Sequence, residues 1–170
     1  MSSANSKRSS KVPATTYAEA ARSAGNVSSS KVRTGSAASA VWACCSCVMP
    51  RIRYTQVVAA TGTRFVAIAG QVAIDAEGRL VGPGDFAAQA EQVFRNLRAA
   101  LEAAGATPAD LIKMTIHVVG HRPEMIDTVF TAGSRAFDGE WPLPASTYLG
   151  VEALGLPEWL IEVDGYAVIA

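Results

Sequence analysis

From residue 51 onward the chain alternates short β-rich apolar runs with amphipathic stretches, divided by Gly and Pro. The run Arg64 to Ile74 is rich in β-branched and aromatic residues and lies between Gly62 and Asp75-Ala76-Glu77-Gly78. It predicts a strand, kinked or bulged near Gly70, leading into a hairpin turn where Gly78 takes the left-handed position. After Gly82-Pro83-Gly84, Asp85 is placed to cap a helix by accepting its free backbone N–H groups. Apolar residues then recur at Phe86, Ala90, Val93, Phe94, Leu97 and Leu101, which puts them on one helical face, and Gly105 ends the pattern. Leu111 to Val119 is too short and too β-branched for a second long helix and predicts a central strand. Pro123 suits the first turn of another helix with Ile126, Val129, Phe130 and Phe137 as its buried stripe, broken by Trp141-Pro142-Leu143-Pro144. Two strands follow, Ser146 to Val151 and Trp159 to Ile169, joined by a turn around Gly155-Leu156-Pro157.

This order describes an α+β domain in which two helices pack on one face of a mixed β-sheet. Two helices shield only one side, so the opposite face meets either water or another subunit. The last strand sets Ile161, Val163, Ala167 and Ile169 on one side and Glu162, Asp164 and Tyr166 on the other, as period-2 alternation requires. A homo-oligomer with a polar, ligand-accepting seam is the arrangement that satisfies both sides.

Composition divides the chain of 170 residues near Pro50. The first fifty residues hold twelve serines, ten alanines and no Asp, with no sustained apolar period, and are expected to be disordered. The head, residues 1–49, is open to three readings: an organelle transit peptide directing the protein to a mitochondrion or plastid, a mis-assigned start with Met49 as the true one, or a flexible tail. The body, residues 50–170, is expected to fold as one domain. Its residues from 51 onward contain no cysteine, which suits a reducing compartment such as the cytoplasm. The head holds Cys44, Cys45 and Cys47; Cys44 and Cys47 form a C-x-x-C without the partner ligands of a zinc site or the helix context of a redox pair. Six basic residues against one acid give the first fifty residues +5, and nine against fourteen give the rest −5, which argues against nucleic-acid binding by the body. No apolar stretch approaches the ~20 residues of a membrane-spanning helix.

The ordered motifs Tyr54-Thr55-Gln56, Phe65 to Ile74 with its Ala69-Gly70-Gln71, Leu80 to Phe86, the helix Ala88-Gln89 to Val93-Phe94 to Asn96-Leu97, and the closing Ile161 to Val168 together resemble the Rid family, also called YjgF or L-PSP. The resemblance spans about residues 51 to 170 and implies a chorismate-mutase-like fold assembled as a homotrimer, with a small-molecule cleft between subunits. It further implies a deaminase-type hydrolase acting on imines or enamines, with no metal and no organic cofactor. In that family an arginine of a Pro-Ala-Arg motif holds the substrate carboxylate, and a glutamate on the last strand helps place water.

Carried over residue by residue, Glu162 takes the glutamate position as catalytic candidate, Tyr54 the cleft tyrosine, and Gly70 and Gln71 the Gly-Gln of the Ser-Gly-Gln motif. The serine of that motif is Ala69, and the arginine position is Ser146 in Pro144-Ala145-Ser146-Thr147-Tyr148. Ser146, Thr147 and Tyr148 are therefore ligand-binding candidates without the family's cation. A guanidinium grips a carboxylate through two charge-assisted hydrogen bonds where a serine offers one neutral bond, so the substrate is expected to differ from the usual amino-acid-derived imine. Arg122 and Arg135 on or near the second helix are the candidates to replace it. His117 reads as a packed strand residue and His121 as a loop residue, neither in a metal role. Two function classes stay open: an imine hydrolase using Glu162, and a non-enzymatic metabolite-binding or regulatory trimer.

Overall fold

The computed structural model describes residues 55–170, together with the strand segments Arg33–Thr34 and Ser39–Cys44. Tyr54, the Cys44 to Cys47 region past its first residue, and most of the head read as disordered lie outside the described residues. Strands are β1 (Arg33–Thr34), β2 (Ser39–Cys44), β3 (Thr55–Thr61), β4 (Arg64–Gln71), β5 (Leu111–Val119), β6 (Ala145–Val151) and β7 (Ile161–Ile169); helices are α1 (Phe86–Ala103) and α2 (Met125–Ala136), and a short 3-10 turn at Pro108–Asp110 leads into β5. The strand order is β1-β2-β3-β6-β5-β7-β4. β5 pairs parallel with β6 and antiparallel with β7, and β4 pairs antiparallel with β7, so the core sheet is mixed.

Three sequence expectations change. β1 and β2 fall in the stretch expected to be without structure, and β2 pairs antiparallel with β3. Val41-Trp42 in β2 and Val57-Val58 in β3 are strong strand formers in runs too short to show a period. β3 itself was not expected, and it touches β6 at a single register pair, Thr55 with Ala145. Pro123 sits ahead of α2 in a lead-in turn, where Met125 N–H donates to Arg122 O at 2.9 Å and Ile126 N–H to Pro123 O at 3.3 Å. The buried stripe of α2 is Val129, Ala132, Gly133 and Ala136, while Ile126 and Phe130 are half-buried.

The other elements form where the pattern places them. Asp85 caps α1, its carboxylate accepting from the Ala87 and Ala88 N–H groups at 3.0 and 3.1 Å. The β4 register shifts between Ile68 and Gln71, which is the bulge expected at Gly70. The chain then turns back through Asp75 to Arg79, with Gly78 at φ +79°. α1 lays Ala90, Val93, Phe94, Leu97 and Leu101 against Met114, Ile116, Val118, Ile161, Val163 and Ala167 of the sheet, all of them buried.

Two polar residues of α1 fasten this layer. Buried Gln89 donates to Gly82 O and Glu158 O at 3.2 and 2.9 Å and accepts from Leu160 N–H at 2.9 Å. Asn96 donates to Val72 O and Ile74 O at 2.8 and 2.9 Å, fixing the chain after β4. The amides of the Ala-Gln to Asn-Leu motif thereby tie the loop carbonyls to α1. Among the described residues no helix is long and apolar enough to cross a membrane.

Candidate functional site

Alternation along the core strands divides the candidate residues between the two faces of the sheet. On β5, Met114, Ile116 and Val118 point into the helix-covered core, which leaves Lys113, Thr115, His117 and Val119 on the uncovered face. Register partners share a face, so Glu162, opposite His117, lies on the uncovered side with Asp164 and Tyr166. Leu149, also opposite His117, and Thr147, opposite Thr115, join them from β6.

Glu162 and Gly70 meet there. A methyl group at Gly70 would lie 2.0 Å from Glu162 Oε1 and 2.5 Å from the carboxyl carbon, so the carboxylate occupies the space a side chain would take. Gln71 follows the bulge opposite Val163, and its amide donates to Ala69 O at 2.9 Å. The ring of His117 is Glu162's neighbour across the strand pair, and its Nδ1 is buried without a partner among the described residues.

Ser146 and Tyr148 go the other way. They pair with Met114 and Ile116 and so face the helix side of β6, opposite Glu162 within one chain. The Ser146 hydroxyl donates to Pro144 O at 3.3 Å. The Tyr148 hydroxyl is buried without a partner among the described residues, its ring lies edge-on to His121 with centroids 5.0 Å apart, and burial pushes its pKa up to about 12. It stays protonated over the physiological range.

Neither replacement arginine reaches Ser146 within the chain. Arg135 belongs to the helix layer, where it is 4.0 Å from Glu91 Oε2. Arg122 follows the C-terminal end of β5, whereas Ser146 lies near the start of β6. A broad groove of about 820 Å³ along α2, lined by Phe130, Ser134, Arg135 and Trp141, is likewise on the helix side, away from Glu162.

Among the described residues, the cation that does reach the uncovered face is Lys113, which the motif comparison does not single out. Its ammonium donates to the Thr147 hydroxyl. Burial lowers its pKa, and the charge of Asp164 opposes that shift. The available signal was composition, because Lys113 is the one lysine between residues 51 and 170. Among the described residues no group of His, Cys, Asp and Glu is gathered as a metal site would require.

The same face carries large apolar groups in the open. Phe65 and Tyr166 stack with ring centroids 5.4 Å apart while remaining 64% and 42% exposed, and Leu149 is 43% exposed. The family model for endoribonuclease L-PSP matches residues 46–169. The chain belongs to the Rid (YjgF/L-PSP) family. A RutC family protein of Synechocystis sp. is 35% identical over 120 residues, covering 68% of this chain and 85% of that protein. A RutC family protein of Pyrococcus horikoshii is 40% identical over 65 residues, 38% of this chain, and there the match spans 50% of the relative's length. The crystal structure of a Rid-family protein from Yersinia pestis, described as of unknown function, superposes with a TM-score of 0.63 at 39% identity, covering 68% of this chain and 86% of that one. Membership agrees with the two-helix, mixed-sheet fold and with the motifs on β4, α1 and β7.

Proposed function

We propose that this Rid-family protein is a homotrimeric hydrolase of an imine or enamine-type reactive metabolite, with its small-molecule cleft on the uncovered sheet face and completed by a neighbouring copy. The observation that carries this reading is the Glu162 carboxylate seated over Gly70 on the face that no helix among the described residues covers. There Glu162 takes a proton from water as the water oxygen bonds to the imine carbon. The C=N π pair moves to nitrogen, which takes that proton back from Glu162; the carbinolamine hydroxyl then gives up its proton to nitrogen through the same carboxylate as the C–N bond breaks, so ammonia leaves and a carbonyl compound remains. An enamine first tautomerises to the imine. This chemistry needs no cofactor. With Ser146 in place of the family arginine, the substrate is one whose binding does not depend on a carboxylate. The net −5 of residues 51–170 disfavours a phosphate backbone as substrate.

The orientation of Ser146 toward the helix side favours a second reading, a metabolite-binding or regulatory trimer without turnover. The deciding assay follows ammonia release from enzymatically generated 2-aminoacrylate and 2-aminocrotonate, and from imines lacking a carboxylate. Under the hydrolase reading Glu162→Gln lowers turnover at least a hundredfold with an unchanged melting temperature. A variant as active as the natural protein removes Glu162 from the mechanism. Natural protein that is inactive on every imine, while Ser146→Arg gains activity on the amino-acid-derived ones, places the physiological ligand outside that class and favours the regulatory reading.

A further inference from the structure

Residues 51–170 carry their positive charge on eight arginines and one lysine, Lys113. A guanidinium holds its proton in proteins, whereas an ammonium in a partly dry setting gives it up and becomes a nucleophile. Lys113 is half-buried in the middle of the uncovered face, in a register row that crosses the sheet through Ala145, Lys113, Tyr166 and Ala67. Ala145 on β6 leaves room on one side of it, and Tyr166 on β7 flanks it on the other. Its nitrogen contacts the Thr147 hydroxyl, and no carboxylate among the described residues forms a salt bridge with it. The titratable groups on this side are Glu162, Asp164 and Tyr166 from β7 and His117 along β5, while β6 and β4 contribute none beside it. Burial favours the uncharged amine, in keeping with this geometry.

We propose that Lys113 is a carbonyl-capture site whose amine condenses reversibly with a small aldehyde or 2-oxo acid. The nitrogen lone pair attacks the carbonyl carbon, an N–C bond forms, and the carbonyl π pair moves to oxygen, which takes up a proton. The nitrogen protons then leave, with Thr147 as the adjacent relay, as C=N forms and water departs. Amine plus carbonyl gives imine plus water, and no oxidant or reductant is consumed. Lys113 lies four residues along β5 from His117, the register partner of Glu162, which separates the two sites by about 13 Å. Capture therefore does not depend on the hydrolase reading.

The test treats the full chain with glyoxylate and sodium cyanoborohydride at neutral pH and locates the reduced adducts by peptide mass spectrometry. Lys7, Lys11 and Lys31 of the same chain serve as internal controls, with N-acetyl-lysine as a free-amine reference. The expected result is modification of Lys113 at least tenfold faster than any of these, slowed severalfold by Thr147→Val. Lys113 reacting no faster than the controls overturns the proposal. Because the comparison is made within the natural protein, it needs no variant to fold, and its readout is a covalent mass rather than ammonia release.

Discussion

Gly70 and Glu162 are individually visible in the sequence as motif residues; their contact is not, because it depends on the bulge that brings β4 and β7 into register. The methyl group of Gly70→Ala would collide with Glu162 Oε1 and the carboxyl carbon, the far end of a flexible side chain. The expected outcome is a carboxylate pushed out of place in a protein that still folds: at least a tenfold loss of kcat for imine hydrolysis, measured beside a melting temperature within a few degrees of the natural protein. Loss of fold with no separable kinetic effect would mean that the contact is structural. Ser146 stands where the resemblance puts the family's arginine, yet the side of β6 that it faces follows only from pairing with Met114 and Ile116. Lys113 was missed for the converse reason. In a β-rich run a lone lysine reads as a solvated position, and its half-burial appears only once β6 and β7 flank it.

Among the elements, those with a full period were legible: α1 from its apolar stripe and Asp85 cap, and β5 and β7 from length and alternation. β3 was not, since Thr-Gln-Val-Val-Ala-Ala-Thr has little polar contrast and its partner β2 lies in a Ser/Ala-rich stretch. In α2 the expected stripe of large residues is partly replaced by small ones, because Trp141 packs directly on the helix. At Gly133 a methyl group would lie 2.1 Å from Trp141 Cζ3, and the indole is held by Phe94, Phe130 and Phe137 at centroid distances of 5.4, 4.6 and 6.4 Å. A rigid ring so enclosed has little room to retreat, so the collision outweighs the ~1 kcal/mol by which alanine is the better helix former. Gly133→Ala is expected to destabilise the fold by about 1–3 kcal/mol, seen as a lower urea midpoint at unchanged slope. An unchanged midpoint would show that the indole can shift.

For the whole molecule, the uncovered face was inferred from the number of helices alone, and the exposed Phe65, Tyr166 and Leu149 give that inference its chemistry. Burying a phenylalanine contributes about 1.5–3 kcal/mol, so Phe65→Asp is expected to weaken self-association at least tenfold. Sedimentation velocity should find three copies in the natural protein and a shift toward monomer in the variant; a natural protein that is monomeric at micromolar concentration would remove the trimer from the proposed function. The pairing of β4 with β7 also bears on how the chain is made. β4 finds its partner only when Ile161–Ile169 is present, roughly ninety residues after Gln71. At ribosomal speeds of ~5–20 residues per second, that leaves the β4 edge without its partner for about 5–18 s of synthesis. An unpaired strand edge is a template for aggregation. Growth at low temperature lengthens that interval while it weakens the hydrophobic association that drives clumping, so cooling acts on the yield of soluble chain in two opposed ways.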